Sequence, residues 1–251
     1  MVPLAGQRVV VTRAAHQATA LLARLEEAGA QVEALALLEV VAPGDGRPLE
    51  RAATELALYD WVVFTSSNAV TALMQAAGSL PQRLHIAAVG TATALALAEY
   101  DVEAELVPAE RRAEGLVAEL APRVSRRQRV LLPQAADARP TLEKGLREAG
   151  ADVIRVDAYR KRTPRDAPRR AAELFGNSED WGWVTFASPS TVRGLAEVMP
   201  ERWVDAPAKL LAASIGPVTS AELRTHGIEP RATAPSPTDQ DLVAAIVAAA
   251  T

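Results

Sequence analysis

A doubly wound α/β fold, present in two copies, is predicted by three features of this chain. Short β-branched runs alternate with helical patterns that close on glycine. The whole succession then starts again in the second half. Finally, two strands, Val32–Val41 and Val153–Arg162, run past the usual strand length, as connectors between two bodies would. Short parallel strands separated by helices are covered on both faces, which defines the doubly wound class.

Arg8–Thr12 (RVVVT) reads as the first strand. A helical pattern from His16 to Ala28 follows, with leucines at 21, 22 and 25 and Gly29 as its stop. Val32–Val41 is the next strand, Pro43–Pro48 a loop and Leu49–Leu58 a helix. Trp61–Thr65 is a buried strand, and Ser67 or a neighbour caps a helix that runs through Ala77. His85–Val89, a tight turn at Gly90 and a helix over Thr91–Glu99 form the fourth unit, and Ala104–Val107 with Ala113–Leu120 the fifth.

Arg129–Leu132 then repeats Arg8–Val11 at an offset of 121 (129 − 8), and Gly150-Ala151 repeats Gly29-Ala30 at the same offset (150 − 29). Trp183–Phe186 repeats Trp61–Phe64 at 122 (183 − 61). Ile215–Thr219 repeats Val89–Thr93 at 126 (215 − 89), as Asp241–Val243 repeats Gly115–Val117. Two five-unit sheets follow from this; a single ten-stranded sheet would exceed what one core supports. Pro164–Pro168 is expected to be a polar turn and Ala232–Pro237 a short rigid loop.

With 251 residues, 49% apolar and 23% charged, the chain can bury sizeable cores. A net charge of −4 argues against broad attraction to nucleic acid or anionic lipid. The absence of cysteine removes thiol catalysis and thiolate metal sites. Three scattered histidines, His16, His85 and His226, do not suggest a metal centre. Chemistry without metal or cofactor is therefore expected. No run approaches membrane-spanning length and no signal-peptide pattern opens the chain, so a cytoplasmic location is expected; a monomer is expected as well.

In doubly wound sheets, ligands lie beyond the carboxyl ends of the strands, where helix N-termini offer free N–H groups. Four strand-to-helix turns are rich in hydroxyls: Thr65–Asn68, Ser188–Thr191, Gly90–Thr93 and Ser214–Thr219. Any one Ser or Thr among them can be a simple helix cap. Two such turns in each repeat point instead to carboxylate binding by small donors. No phosphate-loop or dinucleotide glycine pattern is present. Arg13 ends the first strand and reads either as a carboxylate partner or as a surface arginine, and His16 as a solvated helix-start residue. Arg160, Lys161 and Arg162 read as a solvated strand edge. Tyr159 is either a core aromatic of the connector or a phenol that donates a proton.

The segments WVVFTSSNAV, IAAVGTATA, AEGLVAEL, VDAYRKRTP, FASPSTV, SIGPVTSAEL and SPTDQDLV, in this order, resemble the motifs of the uroporphyrinogen-III synthase family across nearly the whole chain. The resemblance implies two flavodoxin-like domains joined by a two-stranded linker, with the N-terminal unit exchanged into the C-terminal domain. That would place 1–37 with 163–251, set 42–158 apart, and leave about 38–41 and 159–162 as linker strands. It further implies cyclisation of hydroxymethylbilane, a linear tetrapyrrole octacarboxylate, with loss of water, inversion of the last ring and no cofactor. Carried over by position, Tyr159 would assist departure of the hydroxyl. Thr219 matches the threonine after the Gly-Pro turn and Thr93 its partner in the other repeat. Ser66, Ser67, Ser188 and Ser190 would lie in the carboxylate-binding turns. Val218 stands where a second hydroxyl is common, and PQAADAR at 133–139 replaces the more usual R-G-x-x-G-R, keeping Arg139. A non-catalytic binding module of the same fold is the alternative from another class. A two-lobed periplasmic receptor would want a signal peptide.

Overall fold

The computed structural model describes residues 3–176, 181–203 and 205–250, leaving aside the side chains of Ala15, His16, Gln17 and Arg202. The solvated role expected for His16 thus lies outside the described residues. The chain begins with β1 (Arg8–Val11), α1 (Ala15–Glu27) and β2 (Gln31–Ala34). It continues with β3 (Glu39–Val41), α2 (Arg47–Thr54), a 3₁₀ turn at Leu56–Leu58, β4 (Trp61–Phe64), α3 (Ser67–Ala77), β5 (His85–Ala88) and α4 (Thr91–Ala98). Next come α5 (Ala113–Leu120), β6 (Arg129–Ala135), α6 (Thr141–Glu148) and the 11-residue β7 (Asp152–Arg162). The last stretch holds α7 (Ala167–Phe175), β8 (Gly182–Phe186), α8 (Pro189–Val198), α9 (Pro200–Trp203), α10 (Ala206–Lys209), β9 (Leu210–Ser214), α11 (Pro217–Thr225), β10 (Ala232–Thr233) and α12 (Asp239–Ala250).

Two sheets result, in the orders β10-β9-β8-β1-β2 and β3-β7-β6-β4-β5. The α/β class with two doubly wound sheets is what the sequence leads one to expect, and β1 and β2 indeed complete the sheet built by the C-terminal half. The chain divides into one unit of Met1–Glu39 with Arg162–Thr251 and another of Val40–Lys161.

In the first unit, alternation along each strand feeds two cores. Val10, Val184, Phe186 and Ala212 face one side, with Leu35, Leu37 and Phe175. Val9, Val11, Trp183 and Ala213 face the other, against Leu21 and Leu25 of α1 and Leu242 and Ile246 of α12. The second unit repeats the scheme, with Val62, Phe64 and Leu131 on one face and Trp61, Val63 and Val130 on the other. The matched glycines after α1 and α6, Gly29 (φ 92) and Gly150 (φ 98), both sit in the left-handed region that stops a helix cheaply.

Four expectations are corrected. Val32–Val41 is two strands in two sheets, because Leu35 and Leu37 turn into the first unit's core between them. Ala104–Val107 is reduced to a single parallel bridge from Leu106 to Ala87. Leu49–Leu58 is split between α2 and the 3₁₀ turn. Ala232–Pro237 is not wholly loop: Ala232 and Thr233 pair with Ala213 and Ser214. No helix among the described residues is long and apolar enough to cross a membrane.

Tyr59 closes the core beside α2 and is 6% exposed. Burial pushes its phenol above the ordinary value, against the Arg129 guanidinium lying 4.9 Å from the ring centre. The folded protein therefore holds this proton more tightly than the unfolded chain does. That contribution is fully present below about pH 10 and is lost as pH rises through the raised value. Tyr59→Phe is expected to flatten the alkaline fall in stability, read from urea melts between about pH 8 and 11. An unchanged slope would assign the fall elsewhere.

Candidate functional site

The bulge in β7 decides where Tyr159 points. The register with β6 runs evenly to Gln134↔Asp157 and then jumps to Ala135↔Tyr159, so Ala158 is an extra residue. A bulge of this kind re-aims the side chains beyond it. Ala158 and Tyr159 are consecutive yet both buried, at 2% and 6% exposure. The Tyr159 hydroxyl lies 3.1 Å from Ser66 Oγ, and Ser66 Oγ also accepts the Ala69 N–H at 3.2 Å. Ser66, not Ser67, is the N-cap of α3. Ser67 is the exposed first residue of that helix. The other side of Tyr159 borders a cavity of ≈ 420 Å³ lined mainly by apolar residues of α2, α3 and β3.

Both sheets have a topological switch point, where α/β folds bind ligands. In the second unit it lies between β4 and β6, and a cavity of ≈ 520 Å³ opens there, lined by Thr65, Val89, Arg112, Gln134, Arg139 and Thr141 among others. The helices α5 and α6 begin at its wall. Gln134 is 3% exposed, and its Oε1 has no partner among the described residues. Arg112 is engaged by Glu110 at 2.8 Å, while Arg139 makes no ion pair among the described residues. Arg139 and the two helix starts favour an anion at this wall, against Glu114 in the lining and Glu110 on Arg112. Gln134 and Arg112 escape motif reading, although a glutamine inside the apolar run RVLLPQA is a signal that was available.

Thr93 is the third residue of α4, and its side chain is buried at 4% exposure in the same unit. Gly90, expected in a tight turn, has φ −174, an extended conformation open to any residue.

In the first unit, β1 and β8 flank the switch point. Thr12 donates to the Thr185 carbonyl at 2.7 Å, and Arg13 is held at 2.8 Å by Asp239 at the start of α12. The Ser188 and Ser190 hydroxyls share a bond of 2.8 Å at the start of α8. Thr191 locks that turn by accepting the Ser188 N–H and donating to its carbonyl. Thr219, third in α11, is 2% exposed, while its neighbour Val218 is 71% exposed. The turn from Ile215 to Thr219 and the loop Ala234–Pro237 enclose a cavity of ≈ 230 Å³. Arg162 bonds Glu39 at 2.6 Å, so the basic run at the end of β7 is partly a salt bridge. No group of three or more His, Asp or Glu residues that could hold a metal ion occurs among the described residues.

Comparison with known proteins comes out uniformly. The family model described as uroporphyrinogen-III synthase HemD matches residues 7–244. The uroporphyrinogen-III synthase of Synechococcus elongatus is 33% identical over 228 residues, covering 87% of this chain and 86% of the relative. Among solved structures, a mutant form of the uroporphyrinogen III synthase of Thermus thermophilus superposes with a TM-score of 0.66 at 22% identity, covering 97% of this chain and 98% of that one. The synthetase of Helicobacter pylori gives 0.65 at 18% identity, with coverage of 96% and 99%. At these identities the structures speak for the fold alone.

Proposed function

We propose, from its belonging to the uroporphyrinogen-III synthase family of the lyase class, that the chain closes hydroxymethylbilane to uroporphyrinogen III, with Tyr159 as the group that helps the hydroxyl leave. The observation that carries this reading is the ordered chain from the Ala69 N–H to Ser66 Oγ to the Tyr159 hydroxyl. Ser66 Oγ accepts from Ala69, so its own proton can go to the Tyr159 oxygen. The phenol proton is then directed away from Ser66, toward the substrate.

As the terminal carbon–oxygen bond breaks, that proton departs with the hydroxyl as water and leaves an azafulvenium cation and the Tyr159 phenolate. Attack on its exocyclic carbon by the substituted carbon of the last ring gives a spiro intermediate, and reopening and reclosure invert that ring. The proton lost from the ring carbon at final closure restores the phenol. The protein's main contribution is to hold the ends together long enough for the substituted carbon to win over spontaneous closure.

Eight acid groups on the substrate suit more than one set of donors. Ser66, Ser67 and the Arg139 cavity serve in the second unit, and Ser188, Ser190 and the turn at Gly216 in the first. Buried Thr93 and Thr219 act from beneath their turns, and Arg13 takes up an acid group only by sharing Asp239. The test is direct: freshly made hydroxymethylbilane is incubated with the protein and the type I and type III isomers are resolved. Type III is expected. Type I alone overturns the proposal and leaves a module that binds without turnover. Ser66→Ala is expected to lower kcat about five- to tenfold through Tyr159 and to cost about 1 kcal/mol as a lost cap, read from turnover and a thermal melt.

A further inference from the structure

Three hydroxyls in the first unit form a closed triangle beneath the turn that leads into α11. Ser214 Oγ lies 2.6 Å from Ser220 Oγ, Ser220 Oγ lies 2.9 Å from Thr233 Oγ1, and Ser214 Oγ lies 3.3 Å from Thr233 Oγ1. Each can donate once and accept once around the cycle, which satisfies the two buried serines, while Thr233, an exposed residue of β10, closes the triangle from the surface. Ser214 and Ser220 are 0% and 2% exposed. They belong to the end of β9 and the first turn of α11, and Thr233 to β10. The Gly216 carbonyl, 3.4 Å from Ser214 Oγ, is a competing acceptor for the one proton that Ser214 gives to the cycle.

These elements lead directly into the two walls of the ≈ 230 Å³ cavity, Ile215–Thr219 on one side and Ala234–Pro237 on the other. Besides the triangle, β10 is held by two residues paired to β9, by the Arg231 N–H on the Ala212 carbonyl and the Ala234 N–H on the Ser214 carbonyl, and by the burial of Ala232 and Ala234 in the core beside α12.

The internal repeat supplies a built-in comparison. Displaced by 126, the three positions become Ala88 (214 − 126), Ala94 (220 − 126) and Val107 (233 − 126). The backbone agrees, because the bridge Ala87↔Leu106 stands where Ala213↔Ala232 stands in the other sheet. One copy is therefore clasped by hydroxyls and the other is not.

We propose that Ser214, Ser220 and Thr233 are positioning residues, a clasp that fixes the separation between the Gly216 turn and the Ala234–Pro237 loop so that the turn's N–H groups stay aimed at an acid group of the substrate. This rests on the synthase reading above. A three-way hydrogen bond anchored on two buried serines is directional where apolar packing is not, and positioning errors act on binding before they act on the reacting carbon.

Thr233→Val keeps shape and strand preference and removes only the hydroxyl. It is expected to raise KM for hydroxymethylbilane roughly three- to tenfold while kcat stays within about twofold, the scale of one net hydrogen bond. Thr233→Ser, which keeps the hydroxyl and drops the methyl, is expected to restore KM. A KM in Thr233→Val equal to the wild-type value overturns the clasp. So does equal loss in Thr233→Val and Thr233→Ser, which would trace the effect to packing. Because the wild type is assayed alongside, type III product with an unmoved KM in Thr233→Val defeats the clasp alone. Absence of type III product from the wild type defeats the synthase reading instead, and the clasp that rests on it.

Discussion

Tyr159→Phe is expected to lower kcat about a hundredfold, near the low end of what a positioned general acid contributes. The value sits there because an azafulvene forms readily once its hydroxyl has somewhere to go. Phenylalanine keeps the ring that packs with Ala135, Val156 and Ala158 in the core, so the cavity beside it is unchanged. What disappears is the oxygen 3.1 Å from Ser66, which leaves Ser66 still bonded to the Ala69 N–H. KM should stay within about twofold and the melting temperature should fall only slightly, as for one partly buried hydrogen bond. The measurement is a stopped assay of both isomers with a melt on the same sample. A variant that turns over at the wild-type rate would show that the hydroxyl leaves unaided.

Phe186→Ala has the largest expected effect on stability, about 4 kcal/mol, which for a chain of this size is roughly ten degrees in melting temperature. The side chain is fully buried and shares a core with Leu35, Leu37, Phe175, Val192 and Leu195. Its backbone matters as well: Phe186 pairs with Ser214, and its carbonyl takes the Ile215 N–H at 3.0 Å. The turns carrying Ser188 and Gly216 both leave from this pair, so KM should rise together with the loss of stability. Phe186→Leu, which fills most of the volume, should cost less than about 1.5 kcal/mol. Equal melting temperatures for the alanine variant and the wild type would contradict the packing described for this face.

Much of the fold is legible because each strand states its own burial. RVVV, WVVF and GWVTF are apolar on both faces, as strands covered on both sides must be, and Gly29 and Gly150 mark the ends of equivalent helices. The division of Val32–Val41 is hidden for the same reason. Leu35–Leu38 is continuous apolar sequence, and only tertiary packing decides that Leu35 and Leu37 leave the strand for the core. Two paired residues between Pro230 and Pro235 carry no periodicity, so β10 is not legible in the sequence.

The turns of the site are visible in the sequence, but the burial of their threonines emerges only when helix geometry is applied to them. Thr93 and Leu97 are four apart, as are Thr219 and Leu223, and each pair shares one buried helix face. Gln134 belongs to no motif; its meaning comes from a cavity that four separate segments of chain create.

The sheet order has a consequence for biosynthesis. Residues 40–161 form one continuous stretch in which β4 meets β5, and β6 meets β7, soon after they emerge, whereas Val9 must wait for Trp183, 174 positions later (183 − 9). At about 5–20 residues per second, the first hairpin-sized piece of chain spends on the order of ten seconds on the ribosome with one strand edge uncovered. Until the last third of the polypeptide arrives, the open edge of β1 is blunted by Arg8 at its start, while Gln31 and Glu33 blunt the outer edge of β2, which stays a sheet edge in the folded protein.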